Sequence, residues 1–414
     1  MKKLLLCCVV LTLMTAAVRA EFKAGMGVRV VTPEPLLPVS GGVGPSHPVK
    51  KKEGDLTVRA LVLDDGTTSV AIVSADFLGF PSVLGNRVRA KVPQIPAANI
   101  LIGATHTHSA PDCYGFPDGK GGTAADLGYL DLVCDKMAEA IREAYEQRQP
   151  AGLRMATGEA RGKIAYNYYA EQLYDPRCFV MQAVKSDGSV IATLVNYAIH
   201  PEVLGSDAGA LSPDLVGPLY DRLAAKSGGV GIFMNSAQGG MVTADNRAGG
   251  GGENRDYAEC RRIGHQLADE ALRIVAGAPL QPVPRLACRA RAVEFPVDSP
   301  LMLNILKLSP LGFKPTSKGG VQTQVNLLEI GDAQIATIPG EALPNIGYYL
   351  KRKMKGAHRV LFGLTNDAFG YILTKEDFGS FKRYEYVSRT SLGERTAEIL
   401  ETEILGMAAE SKLP

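Results

Sequence analysis

ALVLDDGTTSVAIVSAD, residues 60–76, reads as two β runs on either side of Asp64-Asp65-Gly66. Apolar β-formers flank an Asp-Gly pair, and such pairs tolerate the positive φ of a tight hairpin. The signature returns twice. Cys178 to Ile199 turns at Asp187-Gly188, and Val321 to Ile338 turns at Gly331-Asp332. Between the hairpins the period changes. Ala124 to Gln149 carries apolar residues at Leu127, Leu130, Cys134, Met137, Ile141 and Ala144, a helical stripe. Asp256 to Ala276 continues the pattern through Tyr257, Cys260, Gly264, Leu267 and Ala271, and Ser391 to Ala408 reads as a closing helix. Short apolar runs at Asn99–Thr105, Val230–Met234 and Arg359–Thr365 read as further strands. Hairpins demand antiparallel pairing, and amphipathic helices bury their stripes against sheet. The class expected is therefore α/β, a mixed β-sheet core with flanking helices. Ala248–Asn254 and Ser309–Gly320, rich in glycine, read as loop excursions from one domain.

The totals are those of a globular protein: 414 residues, 46% apolar, 21% charged, net charge +2. A balance so near neutral points away from nucleic acid or an anionic surface as the main partner. Lys2 and Lys3, the apolar Leu4–Val18 and the small-residue site before Glu21 form a secretory leader, residues 1–20, so a secreted or periplasmic protein is expected. Residues 21–414 are expected to form a single domain, with no other segment apolar enough to span a bilayer. Outside the leader the cysteines are Cys113, Cys134, Cys178, Cys260 and Cys288, with no CxxC pair. A metal would have to be held by histidines and carboxylates. Cys113 reads as a packed thiol.

Several polar residues stand just beyond apolar strands: His106 and His108 after NILIGAT, His200 after VIATLVNYAI, and Glu341 after AQIATIPG. Thr243 follows GIFMNSAQGGMV, and Tyr371 comes shortly after RVLFGLT. Strand ends commonly carry sites, because the sheet holds the backbone while the loop varies. His-x-His on an extended segment would put both imidazoles on one face. His106, His200 and Glu341 would supply the neutral imidazoles and carboxylate that catalytic zinc uses. Each has a plainer reading. HTH also suits a polar strand end, His200 a hydrogen-bonded loop, and Glu341 a helix N-terminal carboxylate. The joint pattern favours a site.

THTHSAP resembles the THTHSGP motif of the neutral, non-lysosomal ceramidases. NYAIHP, IPGEAL, FGYILTKEDF and YEYVSRTSLGERT resemble that family's later segments in the same order, and AGMGVRVVTP its first strand. The likeness runs from about residue 24 to residue 400. It implies a ceramidase-like fold and a zinc ion (Zn2+) held by His106, His200, Glu341 and Tyr371. It also implies catalytic roles for His108, Thr243 and Tyr384, and hydrolysis of an N-acyl lipid amide by zinc-activated water. Tyr384 lies one residue further from Tyr371 than the family spacing implies. Where the family has GDVSP this chain has GMVTA, so Thr243 stands for the serine and Met241 for the aspartate. Tyr168 stands for an arginine used in substrate recognition. The family's C-terminal β-sandwich domain is not expected here. Asp76 and Asp214 read either as groups orienting a histidine or as caps. A zinc hydrolase of another amide or ester, and a secreted metal-binding protein without turnover, are the alternatives. The partner expected is a small-molecule or lipid substrate, and the sequence does not bear on oligomeric state.

Overall fold

A computed structural model describes residues 21–413; the expected leader, residues 1–20, lies outside the described residues. The strands that matter are β1 (Lys23–Val30), β2 (Thr57–Asp64), β3 (Ser69–Ala75), β4 (Ile100–Ala104), β5 (Gln149–Glu159), β6 (Arg177–Lys185), β7 (Val190–Tyr197) and β8 (Val230–Asn235). They form one sheet in the order β8-β7-β6-β5-β1-β2-β3-β4. The pairs β3–β4 and β7–β8 are parallel and the others antiparallel. A second sheet has the order of the chain: β9 (Leu286–Phe295), β10 (Val321–Ile330), β11 (Ala333–Thr337) and β12 (His358–Phe362). The three hairpins expected from Asp-Gly and Gly-Asp turns are β2–β3, β6–β7 and β10–β11.

Side-chain alternation explains how the sheets stack. Val58, Ala60 and Val62 face α2 (Leu127–Glu146), while their neighbours Leu61 and Leu63 face the second sheet. On the second sheet Ile335 and Val360 face the first, while Ala336 and Leu361 face α6 (Pro344–Lys353) and α7 (Thr396–Ala409). Helices α3 (Val216–Ser227) and α4 (Tyr257–Val275) cover the other half of the first sheet. The result is helix, sheet, sheet, helix. Strands buried on both faces read as continuous apolar runs rather than alternating ones. SVAIVSA at β3 and VIATLVNY at β7 have that form. The remaining helices are α1 (Ser82–Ala90) and α5 (Pro300–Leu308).

The two sheets are joined at one end. The chain after β12 sends Asn366 N–H to Ile102 O (2.7 Å) and Leu364 N–H to Gly340 O (3.1 Å), touching β4 and the loop after β11 together. Asn235, at the end of β8, joins two more strand ends. Its amide donates to Thr105 O (3.1 Å) and to Ile199 O (2.7 Å). Those carbonyls sit one residue before His106 and His200. A single buried side chain therefore fixes the spacing of both histidine loops.

Candidate metal centre

His106, His200 and Glu341 meet where the sheets join. Their side chains are 4%, 1% and 8% exposed. His106 Nδ1 lies 2.5 Å from Leu78 O, and His200 Nδ1 lies 2.8 Å from Val242 O. A carbonyl only accepts, so each ring carries its proton on Nδ1 and leaves a lone pair on Nε2. Those lone pairs point at one carboxylate oxygen. Glu341 Oε2 is 3.4 Å from His106 Nε2 and 3.1 Å from His200 Nε2. Two lone pairs and an anion at one buried focus repel unless a cation lies among them. Without a metal a proton does this service: burial opposes charge on His200, yet Glu341 raises its pKa to about 9. Burial likewise opposes the charge of Glu341, and His106 and His200 hold its carboxyl well below the usual range. The donor set fits a divalent ion of the zinc type.

His108 belongs to the same cluster, with one nitrogen from each of the three rings lying within 4.8 Å of the others. It faces a different carboxylate. His108 Nδ1 is 3.4 Å from Glu202 Oε2, and its Nε2 is buried with no partner. Glu341 serves the centre better as the third ligand, because it already touches both other donors. Burial drives the His108 pKa down to about 3, so the ring is neutral.

The chain brings these histidines together differently from the strand reading. His106 has φ 75, a left-handed value rare for a residue with a Cβ, so the segment is not extended there. The strand β4 ends at Ala104, the backbone bends, and the two rings meet edge to face at 4.8 Å between centroids. Left-handed non-glycine residues mark positions that the surroundings over-determine. Met241, at φ 67, is another at this site.

Glu341 and Tyr371 pair in a short parallel ladder, Glu341↔Tyr371. Gly340 makes the approach possible: a Cβ there would stand 2.5 Å from Gly370 O. Tyr371 lines the cavity beside His106 and Glu341, and its hydroxyl reaches Met241 Sδ at 3.5 Å. Tyr384 stands outside the lining of that cavity. Its ring packs tilted against Tyr169 and edge to face with Phe381, while Tyr386 lines the cavity. Tyr386 stands 5.9 Å from the ring of Tyr371. Thr243 faces a second chamber with Glu202, Asn246 and Tyr168. The departures GMVTA and AYNYYA pair with each other, Val242↔Asn167 and Thr243↔Tyr166.

Asp76 and Asp214 hold backbone and touch no histidine. Asp76 accepts from Thr57 N–H and Oγ1, and Asp214 from Leu204 and Leu215 N–H. Cys113 is buried against Gly79 O, and burial raises its thiol pKa, which suits a packed thiol. No disulfide joins the described cysteines. Glu202 escaped the sequence reading. Its signal was there: His200-Pro201-Glu202 repeats the i, i+2 spacing of His106 and His108.

No protein-family model matches the chain. It is 25% identical to the neutral ceramidase of Pseudomonas aeruginosa over 325 residues, 70% of this chain and 48% of that protein. It is 28% identical to neutral ceramidase B of Dictyostelium discoideum over 134 residues, 28% of this chain and 18% of that protein. The chain thus spans about half the length, or less, of these curated relatives. In structure it superposes on the crystal structure of neutral ceramidase from Pseudomonas aeruginosa with TM-score 0.76 at 18% identity, covering 95% of this chain and 75% of that one. A ceramidase complexed with C2 gives TM-score 0.74 at the same 18% identity. The α/β fold with its mixed sheet, expected from the hairpins, is the fold of those structures.

Proposed function

We infer that this chain, a divergent relative of the neutral ceramidases, is a zinc-dependent amidohydrolase that cleaves the amide bond of a ceramide-like N-acyl lipid. One observation carries the reading: two imidazole Nε2 atoms converge on one Glu341 oxygen while both Nδ1 atoms are tied to backbone carbonyls. His106, His200 and Glu341 would hold the ion, with Tyr371 beside them. When bound, zinc supplies Lewis acidity, polarising a carbonyl and lowering the pKa of water from 15.7 toward about 7. His108, neutral and backed by Glu202, takes a proton from the attacking water and returns it to the leaving nitrogen. Tyr386 donates to the oxygen where negative charge develops. Leu78, Phe116, Met302 and Ile305 line the same cavity and give a hydrocarbon chain an apolar wall. The leader expected ahead of Glu21 would carry the protein out of the cytoplasm.

A zinc hydrolase of another amide or an ester is the second reading. Tyr168 in place of the substrate-recognising arginine favours it. The test loads the purified chain with zinc and assays fluorescent N-acylsphingosine beside simple amides and esters. Amide turnover lost in His200→Ala is expected. Ester turnover without amide turnover selects the second reading, and wild-type protein that takes up no metal overturns both.

A further inference from the structure

Two chambers of opposite character meet at His108. On one side, the slot beside His106 and Glu341 runs past Tyr114, Met302, Ile305 and Ala368 into an adjoining cavity of about 450 Å³ that shares those four residues. Met302, Ile305, Leu306, Leu311, Phe313 and Val321 supply much of its wall, with Arg87, Lys314 and Asp367 among its polar lining. On the other side, a chamber of about 420 Å³ is lined by Glu202, Asp207, Glu253, Asn246, Thr243 and Arg255. Arg255 is the cation among them, and it is already engaged by Asp207 and Leu204 O. Three carboxylates, Glu202, Asp207 and Glu253, face one guanidinium, so this chamber is acidic. His108 lines both chambers, and its Nε2 is buried with no partner at their junction.

We propose that the substrate is an N-acyl derivative of a polar amine that carries no second hydrocarbon chain, such as a short amino alcohol or an amino sugar, with its acyl chain in the largely apolar arm and its amine half in the acidic chamber. The inference rests on the amidohydrolase reading and narrows it. Water adds to the carbonyl carbon, the C–N bond breaks, and the leaving nitrogen takes a proton. The products at neutral pH are a carboxylate and an ammonium. An acidic chamber stabilises the developing ammonium and repels the carboxylate, which fixes the orientation. Polar walls also disfavour a second long hydrocarbon, because their groups would lose water without gaining partners.

The test compares N-dodecanoyl ethanolamine, N-dodecanoyl glucosamine and N-dodecanoylsphingosine with the zinc-loaded full chain. The polar amines are expected to exceed the sphingoid amide in kcat/KM by about tenfold or more. Glu253→Lys is expected to lower kcat for the polar amides with little change in KM, since the positive charge arises only as the bond breaks. Equal or better hydrolysis of the sphingoid amide, or a Glu253→Lys variant with unchanged kcat, overturns this orientation and leaves the amidohydrolase reading standing. Failure to cleave any amide, with zinc bound, overturns both.

Discussion

Glu202 and His108 form a pair whose partners are dictated by position rather than by charge alone. Glu202 lies near His200 as well, yet His200 spends both of its ring nitrogens elsewhere, on Val242 O and Glu341. Glu202→Gln removes the charge behind His108 and keeps the shape. It is expected to cost about 10- to 100-fold in kcat/KM while metal content stays unchanged; parallel loss of metal would show instead that Glu202 supports the centre. The tyrosines give a sharper contrast. Tyr386→Phe is expected to lower kcat by about 100-fold, the scale of a lost oxyanion donor, whereas Tyr384→Phe leaves kcat near wild type. The reverse order in steady-state assays would restore Tyr384 to the site. At this scale the sequence was most legible where residue type and strand end coincide, as at His106, His200 and Glu341. It was least legible at Tyr384 and Tyr386. Those two straddle a 3-10 turn and a short helix, Lys382–Tyr384 and Glu385–Arg389. Side chains two apart on a helix diverge by about 200°, so a two-residue ambiguity reverses which one faces the cavity.

Elements meet at the site through a few buried polar groups. Asn235→Ala would strand the Thr105 and Ile199 carbonyls in the interior. About 2–4 kcal/mol of stability and a weaker hold on zinc are expected, checked by urea unfolding and metal titration. A second clamp holds α6 to the sheet. Lys351 Nζ lies 2.9 Å from Asp175 Oδ2, and both side chains are 5% exposed. Burial opposes the Asp175 charge, but Lys351 and Arg177 outweigh it and lower the pKa to about 2. A depressed carboxylate stabilises the fold above its unfolded pKa of 3.8 and loses that contribution as pH falls toward about 2. Lys351→Met would leave the buried carboxylate with Arg177 as its remaining partner, at a cost of about 1–3 kcal/mol at neutral pH. The double variant with Asp175→Leu is expected to recover much of that loss in denaturant melts. Neither clamp was visible in the sequence, because Asn235 and Lys351 act across strands distant in the chain. The hairpins and long helices were legible, since their signals are local. The histidine pair was found for an imperfect reason: strand alternation implied it, while the left-handed turn at His106 delivers it.

Over the whole molecule, the centre lies across a seam. His106 and His200 come from the ends of the first sheet, and Glu341 follows the last strand but one of the second. An ion there would tie two sheets that are otherwise held by their shared apolar layer and a few polar bonds such as Asn196 to Leu361 O. Ligand that binds only the folded state stabilises by about 2.7 kcal/mol at a hundredfold excess over Kd. Chelation should therefore lower the melting temperature, and zinc should restore it; a chelator-insensitive melt would argue that the seam needs no ion. The layer order was only partly legible. Mixed sheet with helices followed from hairpins and stripes, but the face-to-face packing of two sheets depends on which side of each doubly buried strand meets which neighbour. The most direct measurement is elemental analysis of the purified chain beside His200→Ala and Glu341→Ala, with amide hydrolysis followed in the same samples. Zinc in stoichiometric amount with turnover is expected in the wild type, and loss of both together in each variant. Amide turnover that persists in the wild type after complete removal of metal, or that survives in His200→Ala, would contradict that expectation.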